Sequence, residues 1–302
     1  MTTSSGMPRP IAAPSSSRGV LSQSITIAAV AAALAWDVRP AASQFASGVA
    51  AVEVYAAVTD GKGEPVRDLT AADFEILEDG QPQTVSTFVA GDFPLTVAVG
   101  LDRSFSVAGD RLAAMKRATV TFLDALRPED EVILLKIGST VETVKDKALV
   151  RSDVERTDAF GTTALHDAIV AAIDAVDASR GRRALVLLSD GSDRYSRATA
   201  GDVLARARTA NVIVYPIAFG RDRPELFAEL AALTGGRSFN TRNERDLSGT
   251  LQTIARELRF QYLLGYSPSR PLAAGANEWR SIAIKVKRPG LRVRGRDGYL
   301  VK

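Results

Sequence analysis

Cysteine is absent from the 302 residues, and histidine occurs once, at His166. The first absence excludes disulfides, zinc–thiolate centres, a cysteine nucleophile and a lipid attached through cysteine. The second excludes any multi-histidine metal site and leaves one imidazole for acid–base work. No GxxxxGK or GxGxxG occurs, so nucleotide use has no support from a phosphate-cradling motif. A strong excess of one charge is missing too. The formal +3 arises from 38 basic and 35 acidic residues. Arg9, Arg18 and Arg39, against the single acid Asp37, supply most of it from the first 43 positions. The remainder is near neutral and gives no electrostatic argument for nucleic acid.

What is present is a globular composition, 46% hydrophobic and 24% charged, with enough apolar mass for two small cores. Residues 1–43 differ from the rest. Arg9 and Arg18 sit in a Ser/Pro-rich stretch, followed by VLSQSITIAAVAAALAW and then small residues, the layout of a signal peptide. Cleavage is expected after Ala33–Ala35 or after Ala41–Ser43; the later cut fits a strand pattern that starts soon after Gln44. The chain is thus expected to be secreted or periplasmic. The alternative is an uncleaved N-terminal anchor, but Ser22, Gln23, Ser24 and Thr26 interrupt a run already short for a span of about 20 residues.

Residues 44–91 read as an N-terminal β segment. Val52, Val54, Ala56 and Val58 share one face at period two, Asp60 to Gly63 break the strand, and FEILEDGQPQTVSTF reads as a hairpin about Asp79-Gly80 with Pro82 near an edge. AGDFP, Ala90 to Pro94, reads as a hinge. Over residues 92–260 the pattern alternates. Apolar runs at Leu95–Leu101, Val132–Ile137, Ala184–Ser189 and Val212–Phe219 are separated by helical stripes. These stripes are Leu112/Met115/Thr119/Phe122/Leu126, Leu165/Ile169/Ile173/Val176, Leu226/Leu230/Leu233 and Leu247/Leu251/Ile254/Leu258. Such alternation predicts an α/β fold, a doubly wound and mostly parallel sheet covered by helices. Thr140 to Asp158 reads as a strand and a surface connection. Residues 261–302 return to β character with no crossover helix, so they are expected to pack with the N-terminal strands as a small flanking β-sandwich.

In a parallel sheet, ligands bind outside the carboxyl ends of the strands. Three such ends are rich in oxygen: LDRSFS after the first strand, FGTTALHD before the second helix, and LLSDGSD after the third strand. Asp102, Ser104 and Ser106 alternate, which directs a carboxylate and two hydroxyls to one side of a curled loop. Short oxygen ligands on a rigid loop suit a hard divalent cation such as Mg²⁺.

These residues resemble the von Willebrand factor A-type (VWA) family and its metal-ion-dependent adhesion site, a D-x-S-x-S followed by a threonine and an aspartate. DRSFS at Asp102 to Ser106 matches the first element, with Phe105 where glycine is common. GTTALHDAI at Gly161 to Ile169 is similar to GGTALYDAI and aligns Thr163, not Thr162, with the metal-binding threonine. SDGSD is similar to the TDG turn and makes Asp190 the distal acid. The resemblance implies a Rossmann-like fold and a metal site of Asp102, Ser104, Ser106, Thr163 and Asp190 for Mg²⁺, Mn²⁺ or Ca²⁺. It also implies a binding module rather than an enzyme, with a protein ligand whose acidic side chain completes the metal coordination. Phe105, Arg103, Arg194 and Tyr195 are expected to rim that site.

Two other readings compete. A serine or metal-assisted hydrolase would use Ser104 or Ser106 with His166 and Asp190, but no GxSxG elbow surrounds either serine. An anion- or membrane-surface-binding module would use Lys285, Lys287, Arg292, Arg294 and Arg296 as a basic ladder across a C-terminal hairpin, giving peripheral contact with anionic surfaces. No aromatic residues interleave with that run in the manner of nucleic-acid binders.

Overall fold

The computed structural model describes residues 51–301 apart from Asp92, Arg180, Asp222, residues 272–274 and Ala276. The signal-peptide reading for residues 1–43 lies outside the described residues.

Period-two burial builds the first strand: β1 (Val52–Thr59) buries Val52, Val54, Ala56 and Val58. Asp60 then closes the turn, its Oδ1 accepting from the N–H groups of Lys62 and Glu64. β2 (Phe74–Glu78) and β3 (Gln81–Gln83) form a hairpin across Asp79 and Gly80, whose φ values of 47° and 79° suit a two-residue turn of the primed type. Pro82 sits on β3 at a sheet edge, where its missing N–H breaks no ladder. β4 (Val85–Gly91) leaves this hairpin for a different sheet, so the second half of the expected hairpin run is split in two.

The central sheet comprises β5 (Leu95–Asp102), β6 (Glu131–Ile137), β7 (Val141–Val144), β8 (Arg182–Ser189), β9 (Ile213–Phe219) and β10 (Phe239–Thr241). Their order is β10-β9-β8-β5-β6-β7, and every pairing is parallel except that of the edge strand β7. The helices are α1 (Asp110–Ala125), α2 (Lys147–Arg156), α3 (Leu165–Asp177), α4 (Ala200–Thr209), α5 (Glu225–Thr234) and α6 (Glu244–Arg259). Alternate residues of β5 face opposite layers. Val97, Val99 and Leu101 pack with α1, α2 and α6, while Ala98 packs with α3, α4 and α5. This is the doubly wound sheet that the alternating pattern predicts. The chain winds outward from β5 to β6 and later returns to β8 on its other side, which puts the switch point between the ends of β5 and β8.

β11 (Gln261–Tyr266), β12 (Glu278–Val286), β13 (Arg292–Arg294) and β14 (Gly298–Val301) complete the fold. They join the N-terminal strands in two four-stranded sheets, β13-β1-β11-β4 and β14-β12-β2-β3, around Val54, Phe74, Ile76, Tyr262, Leu264 and Ile282. A flanking β-sandwich from both ends of the chain is therefore present. Glu78, 3% exposed, is its polar hub. It accepts from Tyr266 Oη at 2.7 Å, Tyr299 Oη at 2.8 Å and Arg280 Nη1 at 3.2 Å.

Three expectations need correction. The connection before Asp158 is a helix, α2, which Asp146 caps by accepting from Ala148 N–H and which buries only Val150 and Val154. The Ala90–Pro94 hinge is tied down: Arg182 donates through Nη2 to the Phe93 carbonyl at 2.9 Å and through its backbone N–H to that of Pro94 at 3.0 Å. The basic ladder does not form, because the chain crosses the sandwich at Pro289-Gly290 and puts β12 and β13 in different sheets. Lys285 pairs with Glu75, Arg294 with Glu257, and Lys287 Nζ donates to the Ala72 carbonyl.

Candidate metal centre

β5 is buried along its whole length and delivers Asp102 to its carboxyl end with no exposure at all. Two donors hold that carboxylate. Ser104 N–H donates to Oδ1 at 2.9 Å, curling the loop, and Ser189 Oγ donates to Oδ2 at 2.6 Å from the end of β8. Ser104 is 1% exposed, Ser106 is exposed, and their hydroxyl oxygens stand 3.0 Å apart. That separation matches adjacent ligands of an octahedral ion at about 2.0–2.1 Å, for which the geometry requires about 2.9 Å.

Main-chain bonds join the second loop to the first. Phe105 N–H donates to the Gly161 carbonyl at 3.0 Å, and Phe160 N–H donates to that of Arg103 at 2.7 Å. Gly161 has φ +71°, and a Cβ there would run into Ser139 Oγ, so only glycine fits. The two threonines that follow are unlike. Thr162 is exposed and its N–H donates to Ser139 Oγ, whereas Thr163 is 2% exposed and its hydroxyl has no hydrogen-bond partner among the described residues.

The third loop is fastened to the second through Thr163, whose carbonyl accepts from Arg194 N–H at 3.0 Å and Tyr195 N–H at 3.1 Å. Asp190 begins it, with Oδ1 accepting from Ser192 N–H at 2.9 Å. Gly191 follows with φ +85°, packed so closely on Pro224 that a Cβ would overlap its ring. Two residues that the sequence reading passed over hold this assembly. Ser189 links the third strand to Asp102. Asp193 caps α3, its Oδ1 accepting from Leu165 N–H at 2.7 Å and His166 N–H at 3.2 Å, and it also accepts from Ser196 Oγ at 2.6 Å. The second acid of SDGSD was the available signal for Asp193.

The chemistry of this donor set fits a divalent cation. Burial pushes the Asp102 carboxyl above its ordinary value, hydrogen bonds from Ser189 and Ser104 oppose that, and the negative charge of Asp190 adds to it. Among the described residues no basic side chain pairs with Asp102 or Asp190. Among the described residues no three acidic or imidazole side chains gather at one point, so a cation here would rest on two carboxylates and three hydroxyls.

Three of the four residues expected at the rim are exposed. Phe105 and Tyr195 are 67% and 64% exposed, and Arg194 is exposed. Arg103 instead turns aside, paired with Glu142 of β7 and stacked 5.0 Å from the Phe160 ring centre. Phe160, which takes that stack, is itself half exposed. His166 Nδ1 stands 3.2 Å from the Ala198 carbonyl oxygen and 3.6 Å from Asp193 Oδ2, and neither Ser104 nor Ser106 hydrogen-bonds to it, so the serine triad is not assembled.

The family model of the von Willebrand factor type A domain matches residues 97–255, just over half of the chain. The chain belongs to this family. A curated relative of the VWA chain is human inter-alpha-trypsin inhibitor heavy chain H4, 25% identical over 187 aligned positions, in a match that covers 55% of this chain. The match spans only 20% of that protein's length. Among solved structures, a von Willebrand factor type A protein from Catenulispora acidiphila matches with TM-score 0.47 and 14% identity, covering 76% of this chain and 72% of that one. Proximal thread matrix protein 1 from the mussel byssus, solved with a zinc-occupied MIDAS motif, matches with TM-score 0.46 and 14% identity, over 58% of this chain and 48% of that one.

Proposed function

We propose that this VWA domain binds a protein partner through a divalent cation, Mg²⁺, Mn²⁺ or Ca²⁺, with an acidic side chain of the partner completing the coordination. Asp102, Ser104, Ser106, Thr163 and Asp190 would hold the ion, which when bound supplies a Lewis-acidic point for the guest carboxylate. The observation that carries this reading is the convergence of three loops on a fully buried, unneutralised Asp102. The chain's own residues do the preorganising. Ser189 orients Asp102, the Gly161 and Thr163 carbonyls lock the loops together, and the exposed rings of Phe105 and Tyr195 offer apolar contact beside the guest. Five side-chain ligands leave one position of an octahedral ion for a sixth, which the partner's acid would fill.

The leader-like composition of residues 1–43 supports a site of action outside the cytoplasm, testable by cell fractionation. Mn²⁺ titration calorimetry tests the centre itself. The full chain should bind one ion, and Asp102→Ala and Thr163→Val should each abolish or strongly weaken it. Protein captured on immobilised chain in Mg²⁺ should be released by EDTA and absent with Asp102→Ala; capture indifferent to both would refute the mechanism.

A further inference from the structure

Beside the candidate metal centre lies a second concavity that the cation reading does not use. It encloses about 410 Å³ between the end of β9, the first turns of α5 and the stretch Arg237 to Asn240 that enters β10. Its apolar floor includes Ala218, Phe227 and Phe239, and its rim carries Arg223 and Arg237. Both arginines are exposed, and neither has an acidic partner among the described residues. Arg237 is nonetheless held in place, its guanidinium 4.6 Å from the Phe239 ring centre. Among the described lining residues Glu225 is the single acid, set against these two arginines. Its wall is continuous with the metal loop, because Pro224 both lines the cavity and packs on Gly191, the residue after Asp190.

We infer that this cavity is a second anchoring point for the same partner, taking an acidic side chain on the segment whose first carboxylate sits at the metal centre. Charge complementarity and continuity with that centre carry the assignment. Arginine suits the task because its planar fork grips a carboxylate through two parallel N–H donors, and the Phe239 ring restricts the Arg237 fork before the partner arrives. Two carboxylates on one segment also make the second contact effectively intramolecular, which raises affinity and selects multiply acidic segments over single acids. The inference rests on the cation-dependent reading only for the first anchor.

The test uses a fluorescein-labelled hexaglutamate peptide as probe, titrated by anisotropy against the full chain in Mg²⁺ and in EDTA. The wild type is compared with R223A/R237A, with Asp102→Ala, and with K62A/R292A, which removes two exposed charges from the β-sandwich. R223A/R237A should weaken the peptide about tenfold in Mg²⁺, and K62A/R292A should leave it within about twofold. Peptide affinity unchanged in R223A/R237A, affinity lowered equally by K62A/R292A, or no binding to the wild type would each overturn the inference. Binding that resists EDTA and Asp102→Ala but falls in R223A/R237A would uphold the cavity while refuting the metal-centred reading, so the two failures are separable.

Discussion

Replacing Ser189 with alanine removes one hydroxyl that does two things. It donates to Asp102 Oδ2 at 2.6 Å and accepts from Gly191 N–H at 3.0 Å, at a residue with no exposure. A buried hydrogen bond to a charged group contributes about 1.5–3 kcal/mol, and losing its donor exposes the full desolvation cost of the carboxylate. For a domain of this size, about 2 kcal/mol corresponds to a fall in Tm of roughly 4–8 °C. The same hydroxyl fixes the carboxylate that would face the ion, and losing a partner of a metal ligand typically costs about 10–100-fold in metal affinity. Ser189→Ala should therefore lower the Tm in EDTA by that amount and weaken Mn²⁺ by at least tenfold in calorimetry. Ser192→Ala is the control, since Ser192 meets Asp190 through its backbone N–H alone. A Ser189→Ala protein with unchanged Tm and unchanged Mn²⁺ affinity would refute the claim that Ser189 holds Asp102 in place.

Gly191→Ala should destabilise the third loop by about 1–3 kcal/mol, because the residue has positive φ and its Cβ would overlap Pro224; urea denaturation measures this. Glu78→Ala leaves Arg280, whose side chain is 2% exposed, without its buried carboxylate and should cost about 3–5 kcal/mol by the same assay, while sparing metal affinity. Asp102 also sets a pH dependence in EDTA. Its raised folded-state pKa means that the folded protein holds this proton more tightly than the unfolded chain does. The penalty is therefore absent below the ordinary carboxylate range and grows as pH rises through the raised value. Stability of the wild type relative to Asp102→Asn should fall over that window, and a flat difference would contradict it. Phe105→Ala and Tyr195→Ala should leave Mn²⁺ affinity intact and weaken partner capture, which a retention assay on immobilised chain reads.

Much of this architecture was legible because burial writes a simple pattern. The PLTVAVG run could only be a doubly covered strand, and it is buried throughout β5. The spacing of Asp102, Ser104 and Ser106 at its end became a curled loop with paired hydroxyls. What escaped reading was held by weak or distant signals. α2 and α4 each bury only two side chains, Val150 and Val154 in one and Val203 and Ala207 in the other, too few to form a stripe. Arg103 was expected at the rim because Glu142, its partner, lies 39 residues away on an edge strand. The basic ladder was misread because period-two charges look alike whether they share a sheet or straddle two. Ser189 and Asp193 were visible as oxygen-bearing residues, but their roles depend on β5 and β8 being neighbours, which is a property of strand order and not of local sequence.

The most direct test is a crystal grown in Mn²⁺ and measured at a wavelength where manganese scatters anomalously. A single anomalous peak should lie within about 2.0–2.3 Å of the Ser104 and Ser106 hydroxyls, close to Asp102, Thr163 and Asp190, with an open coordination position toward Phe105 and Tyr195. No peak there in crystals of the folded protein, or a peak held by other residues, would contradict the account.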